Sequence, residues 1–250
     1  MIRNVLLMAS SGLVLFSKEF VNSVAQPRMI GSLLTAMLEF SLVTTGLQVS
    51  YLELTNVAVT LVGNNATKVF CALFHDREDG ATFGRLIATE VLNAFSDEYA
   101  SDLTSGGGLN LKDFRAFHHK IPDIVRKSVQ PVLNKLGLAR GIQKGLLVTE
   151  NSQIFQTVDD IDQLGVLANL QALLGLSADI MGQFGDTCNT ITLEGGHNSR
   201  ILLWRIERWT LVVAVSKAAN PGRYQPHIDE ALSVLHKVCQ LTDILHVSAR

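Results

Sequence analysis

The sequence predicts an α/β fold of the α+β type: two five-stranded, mostly antiparallel sheets, each flanked by helices. Three observations predict it. Apolar runs of strand length alternate with stretches whose apolar residues recur at helical spacing. The order hairpin, helix, three strands, helix occurs twice along the 250 residues. Between the two occurrences lies a stretch with three consecutive glycines and two prolines, unsuited to a sheet. The expected division is 1–105, a linker with bridging helices over 106–141, and 142–250.

The first unit opens with two apolar runs, 5–9 and 13–20, around Ser10-Ser11-Gly12, the chemistry of a hairpin turn. The same region has some features of a targeting peptide: Arg3 before the apolar stretch and Ser23-Val24-Ala25 as a small-residue site. The turn splitting the apolar run and the charges at Lys18 and Glu19 favour the hairpin. Pro27 then suits a first helical position, and Ile30, Leu33, Leu34, Met37 and Leu38 follow at helical spacing until Gly46. Strands are expected over 48–54, 57–62 and 68–74, with a turn at Gly63-Asn64-Asn65. A helix after Gly80 carries Phe83, Leu86, Ile87, Val91, Leu92 and Phe95 on one side. The stretch 101–110, with Gly106-Gly107-Gly108, reads as a joint.

Residues 112–136 keep a helical apolar register, but Pro122 and Pro131 lack backbone donors, so two or three short helices are expected. The second unit repeats the first: a hairpin over 142–149 and 153–158 around Asn151-Ser152, then a helix capped by Asp159 or Asp160. Three strands follow, 188–193, 199–204 and 209–215, turning at Gly195-Gly196-His197-Asn198 and at Ile206-Glu207. The double glycine is read as supplying positive φ. A last helix is expected to open near Pro226, with Ile228, Ala231, Leu232, Leu235, Val238 and Cys239 along one side.

Composition sets the class of partner. Hydrophobic residues are 47%, charged residues 18% and the formal net charge is −2, so the chain has a core but no broad basic footprint for nucleic acid. Cys71, Cys188 and Cys239 are odd in number and far apart, which fits a reducing compartment better than a disulfide framework. A cytoplasmic protein with no membrane span, possible peripheral association through partners and no cofactor is expected.

The hairpin sequence VLLMASSGLVLFSK at 5–18 resembles the start of a longin domain. In the second half, GLLVTENSQI at 145–154 is similar to the first hairpin of the roadblock family, which includes dynein light chains and MglB. ILLWRIERWTLVV at 201–213 is similar to the later strands of that family. The resemblance implies a non-enzymatic subunit of a small-GTPase-regulating complex in trafficking or polarity: a scaffold, an effector or an exchange-factor component. The implied partners are a Rab, Rag, Arf or Ras-like GTPase and other longin or roadblock chains, homomeric or heteromeric. The alternative it leaves is a structural adaptor of a coat, tether or motor complex.

No residue pattern compels an enzyme. The glycine triplet lacks the Gly-Lys-Ser/Thr ending of a phosphate loop. Adjacent histidines such as His118-His119 point in different directions on a helix, and His236 with Cys239 gives only two of four zinc ligands. Glu194 beside His197 fits a turn, and His75, Asp76, Glu78 and Asp79 read as a solvated loop. What exceeds ordinary expectation is apolar excess on two helices. Met29, Leu33, Met37 and Phe40 on the first, and Leu167, Leu170, Leu174 and Met181 on the helix from Leu164 to Met181, are candidate interface residues. Mutual burial within the chain would explain them equally.

Overall fold

In the computed structural model the described residues are 1–20, 26–104, 111–157, 163–196 and 198–247. Ser23-Val24-Ala25, the glycine triplet, Asp159, Asp160 and His197 lie outside them. The chain divides into two compact units, Met1–Ser128 with Leu241–Arg250, and Val129–Gln240.

In the first unit β1 (Ile2–Ala9) and β2 (Val14–Glu19) form the opening hairpin, followed by α1 (Pro27–Thr45), β3 (Tyr51–Glu53), β4 (Ala58–Asn64), β5 (Val69–His75) and α2 (Gly80–Glu98). The five strands pair antiparallel in the order β2-β1-β5-β4-β3. Strand alternation then sorts the core onto two faces. Leu6, Met8, Val59, Leu61, Ala72 and Phe74 meet Leu34 and Leu38 of α1 on one face. On the other, α2 packs on β4 and β5, and Phe83, Ile87, Val91, Leu92 and Phe95 are buried. Gly84 permits the close approach: a Cβ there would overlap Thr60 Oγ1 and stand 2.5 Å from His75 Nε2.

Gly63 lies inside β4, not in the turn expected of it. It faces Phe70 across the ladder, whose ring fills the space a Cβ would take. The turn follows instead, where Asn64 Oδ1 accepts the amides of Ala66 (2.9 Å) and Thr67 (3.3 Å) and Lys68 takes φ 54°. Residues 101–104, expected to be part of a joint, lie in α3 (Ala100–Thr104).

The proline-bearing stretch is three short helices: a 3-10 helix (Asp113–His119), α4 (Ile121–Lys127) and α5 (Val129–Gly137). The first two belong to the first unit and α5 to the second. The 3-10 helix is held by aromatic edges. Phe117 meets Phe16 at 5.3 Å and Phe95 at 5.1 Å, and Phe114 meets Tyr99 at 4.9 Å.

The second unit contains, after α5, β6 (Ile142–Val148), β7 (Ile154–Gln156), α6 (Gln163–Gln183), β8 (Thr190–Glu194), β9 (Ser199–Ile206), β10 (Trp209–Ser216) and α7 (Pro221–Val247) as far as Gln240. Its antiparallel sheet has the order β7-β6-β10-β9-β8, the same permutation as the first. Leu146, Val148 and Leu203 pack beneath Leu170 of α6. Leu147, Leu211, Val213 and Val215, of opposite alternation, are buried, as are Tyr224, Ile228, Leu235, Val238 and Cys239 of α7.

Two expectations are corrected here. The last helix begins at Pro221, five positions before Pro226, which lies inside it. The start is set by Asn220, whose Oδ1 accepts the Gly222 amide at 2.9 Å, with Pro221 in the first helical position. Gly195 does not take positive φ; a Cβ there would stand 2.9 Å from the Ser199 carbonyl oxygen, so close approach is what requires glycine.

Candidate functional site

The apolar excess of α1 is a consequence of how little of the helix the sheet can cover. Pro27 starts it, and Gly46 ends it in the left-handed region, its amide bonding the Leu42 carbonyl at 3.0 Å. Thr44 and Thr45 return hydroxyl bonds to the Phe40 and Ser41 carbonyls, at 2.6 and 2.7 Å. Over these nineteen residues only Gly31, Leu34 and Leu38 are buried. Met29 is 67% exposed, Leu33 59% and Phe40 71%, with Met37 less so at 38%. Their spacing of four, four and three places them along one side of the helix. Arg28 and Glu39 are the only charged residues between Pro27 and Thr45, so the row is unbroken by charge.

The α6 candidates separate. Leu170 belongs to the core, and Leu174 is half-buried against it, because that face of the helix closes over β6 and β9. Met181 is half-buried, and the side chain of Leu167 lies outside the described residues. The exposed row is instead Leu176, Ile180 and Phe184, which the sequence reading missed. Its i, i+4, i+8 spacing marks it as one row of the helix but does not say which way that row faces. On the first unit Leu42, Val43 and Leu47 were missed in the same way; all three are exposed.

The titratable candidates fall elsewhere. His75 is fully buried, not part of a solvated loop. Its Nδ1 donates to the Asp76 carbonyl at 2.9 Å, so Nε2 accepts from Thr60 Oγ1 at 2.9 Å. Burial lowers its pKa, against the opposing pull of the Asp76 carbonyl and the Asp79 carboxylate. The rings of His118 and His119 lie 3.6 Å apart, tilted by 42°, on the exposed side of the 3-10 helix. Cys239 is buried with its thiol toward the Ile206 carbonyl, while half-buried His236 accepts from Gln240 at 2.8 Å. Glu194 pairs with Arg200 across the β8–β9 turn at 2.7 Å and with Lys217, just after β10, at 3.5 Å. Burial pushes the Cys71 thiol up to about 12. Among the described residues no three His, Cys, Asp or Glu side chains stand together as metal ligands would. No helix among them is long and apolar enough to cross a membrane.

No family model matches the chain, and no curated protein does. Solved structures similar to it include MglB from Myxococcus xanthus, 17% identical, covering 45% of this chain and 94% of that one, with a TM-score of 0.41. The gliding protein MglB from Thermus thermophilus is 12% identical, covering 46% and 91%, with a TM-score of 0.41. A roadblock/LC7 domain from Streptomyces avermitilis is 10% identical, covering 44% and 97%, with a TM-score of 0.40.

Proposed function

We propose that the chain is a non-enzymatic subunit of a small-GTPase-regulating complex that docks its partners on the exposed faces of α1 and α6. The observation that carries this reading is the row Met29, Leu33 and Phe40, three large apolar side chains more than half exposed on one helix side. A contiguous apolar strip left in water is the usual mark of a protein-binding surface. Aromatic and methionine side chains are those enriched at the centre of such interfaces. The longin-like and roadblock-like character of the hairpins directs the partner towards a Rab, Rag, Arf or Ras-like GTPase and towards other chains of those two kinds, near membranes the partners occupy.

The test is capture of the tagged chain from its own cells in parallel with EDTA, GDP and a non-hydrolysable GTP analogue, repeated with Leu33→Glu/Phe40→Glu. A small GTPase enriched in one nucleotide condition and lost from the double variant is the expected result. Enrichment in EDTA would assign exchange activity. Recovery of longin or roadblock chains alone, equal in every condition, would overturn the GTPase reading in favour of a structural adaptor.

A further inference from the structure

β2 forms one edge of the first sheet. Its residues 14–17 line a groove of about 900 Å³ whose walls are the start of α1, with Arg28 and Met29, and the 3-10 helix, with Arg115 and His118. The backbone of this edge has a definite polarity. Phe20 donates to the Arg3 carbonyl at 2.9 Å, and the register pairs Lys18 with Val5 and Phe16 with Leu7. Counting by twos, Phe20, Lys18 and Phe16 direct their amides and carbonyls to β1, so those of Ser17 and Glu19 point away from the sheet. Among the described residues neither has a backbone hydrogen bond beyond the β1 side.

The charge of the groove is one-sided. Arg28 and Arg115 are exposed, and among the described residues neither guanidinium has an ion-pair partner. Among the described residues no acidic side chain lines the groove, and Glu19, exposed on the same strand, lies beyond its lining. The stretches 21–25 and 105–110, which adjoin its walls in sequence, contain none either. The wall is also fixed in place: the ring contact between Phe117 and Phe16 anchors the 3-10 helix to β2, and His118 Nδ1 bonds the Arg115 carbonyl at 2.6 Å.

We propose that this groove takes an extended acidic segment of a partner protein, which adds to β2 as a sixth strand and sets carboxylates against Arg28 and Arg115. An open edge supplies main-chain donors and acceptors at every second residue, and side-chain pockets on either side select sequence. A free phosphate would use the two arginines but not the strand edge or the apolar lining. A second copy of this chain paired edge to edge would bring like charges together, since each β2 is flanked by the same two arginines. The groove shares Met29 with the outer row of α1 but not Leu33 or Phe40, so Arg28→Glu/Arg115→Glu tests the groove and Leu33→Glu/Phe40→Glu tests the row.

The test is fluorescence anisotropy of the full chain with a labelled peptide of about nine residues alternating Val and Glu. Two further peptides are N-methylated, one on the Glu and one on the Val positions. Saturable binding is expected, weakened at least about tenfold by Arg28→Glu/Arg115→Glu, because charge-assisted contacts are both lost and reversed. Only one of the two methylated peptides should fail, since a strand pairs through one edge, and exchange of the Ser17 and Glu19 amides should slow on binding. Ser17→Pro, which removes an outward donor that an edge strand can spare, should also abolish binding without loss of the folded signal. The proposal is overturned if the parent peptide does not bind, if a Lys-for-Glu peptide binds as well, or if both methylated peptides bind. Competition by inorganic phosphate alone, retention on anionic vesicles with no effect of peptide, or peptide-blocked dimerisation in sedimentation would each assign a different occupant and equally overturn it.

Discussion

The helices α1 and α2 are each nineteen residues long and lie on opposite faces of one sheet, yet they are held very differently. α2 buries eight residues, from Phe83 to Ser96; α1 buries three. The second unit repeats the contrast. α7 buries a long row that includes Tyr224, Ile228, Leu235 and Val238, whereas the described part of α6 buries Leu170 and leaves Leu176 and Ile180 exposed, with Phe184 exposed just past its end. In both units the helix that follows the three-strand run closes the fold, and the helix inserted after the hairpin covers its sheet with one narrow stripe. Each sheet therefore carries one helix whose apolar residues stabilise the fold and one whose outer apolar residues contribute little to it. The second kind is the surface on which the proposed docking rests.

The most severe way to examine that contrast is to truncate the α2 side. Phe95 is fully buried among Phe117, Phe114 and Tyr99, with ring centroids 5.1, 5.3 and 4.9 Å away. Phe95→Ala should cost about 3–5 kcal/mol in urea unfolding, the range for a large aromatic lost from a core that relaxes only in part. A loss below about 1 kcal/mol would mean that the aromatic cluster is loosely packed, and the contrast between faces would disappear.

A smaller effect, of opposite sign, is expected at Asn4. It is fully buried on β1, opposite Phe74 of the α1 face, and neither amide atom has a hydrogen-bond partner among the described residues. Desolvating an unpaired amide is costly, and a β-branched side chain suits a strand, so Asn4→Val should gain about 1–3 kcal/mol. Destabilisation would show instead that the amide is satisfied in solution.

The regular architecture was legible in the sequence because alternation and helical spacing are local signals that each element carries by itself. The hairpins, the breaking of the bridge into two or three short helices and the duplicate element order were all readable in this way. What was not legible depended on contacts between elements. His75 sits at a strand end beside three acidic residues, a pattern of solvated loops, and only the approach of α2 at Gly84 encloses it. Gly63 read as a turn because the cross-strand ring of Phe70 that justifies it is seven residues away. On α6 apolar residues run almost all the way round, so spacing could not say which of Leu170 or Leu176 turns inward; the sheet beneath decides it.

His75 also makes the α2 face sensitive to pH. Its folded pKa is lowered from the ordinary 6.5 by burial. The neutral ring is therefore the folded form, while the unfolded chain takes up a proton first as the pH falls. Stability tied to this group is fully present above the ordinary value and is lost as the pH falls from there towards the lowered one. Unfolding midpoints measured at about pH 7.5 and about pH 5.5 should show a fall that His75→Gln reduces. Asp76 and Asp79 are the acidic groups nearest the ring and pull in the opposite sense, so Asp79→Asn should deepen the fall. An unchanged slope in both variants would remove His75 as its source.

The smallest effect on folding is expected where the surface proposal is strongest. Phe40 is 71% exposed and Phe95 is fully buried, so the same residue type samples both kinds of helix face. Phe40→Ser should change stability by no more than about 0.5 kcal/mol, because its ring already faces water and little burial is lost. The same substitution should sharply reduce capture of any partner that docks on α1, as removal of an aromatic anchor at an interface does. The two readouts together separate the alternatives. A large stability loss with no change in capture would mean that the ring is covered by the chain itself in solution, and α1 would then join α2 as a structural helix. A near-neutral stability change with lost capture would place the binding energy on the face that the fold itself does not use.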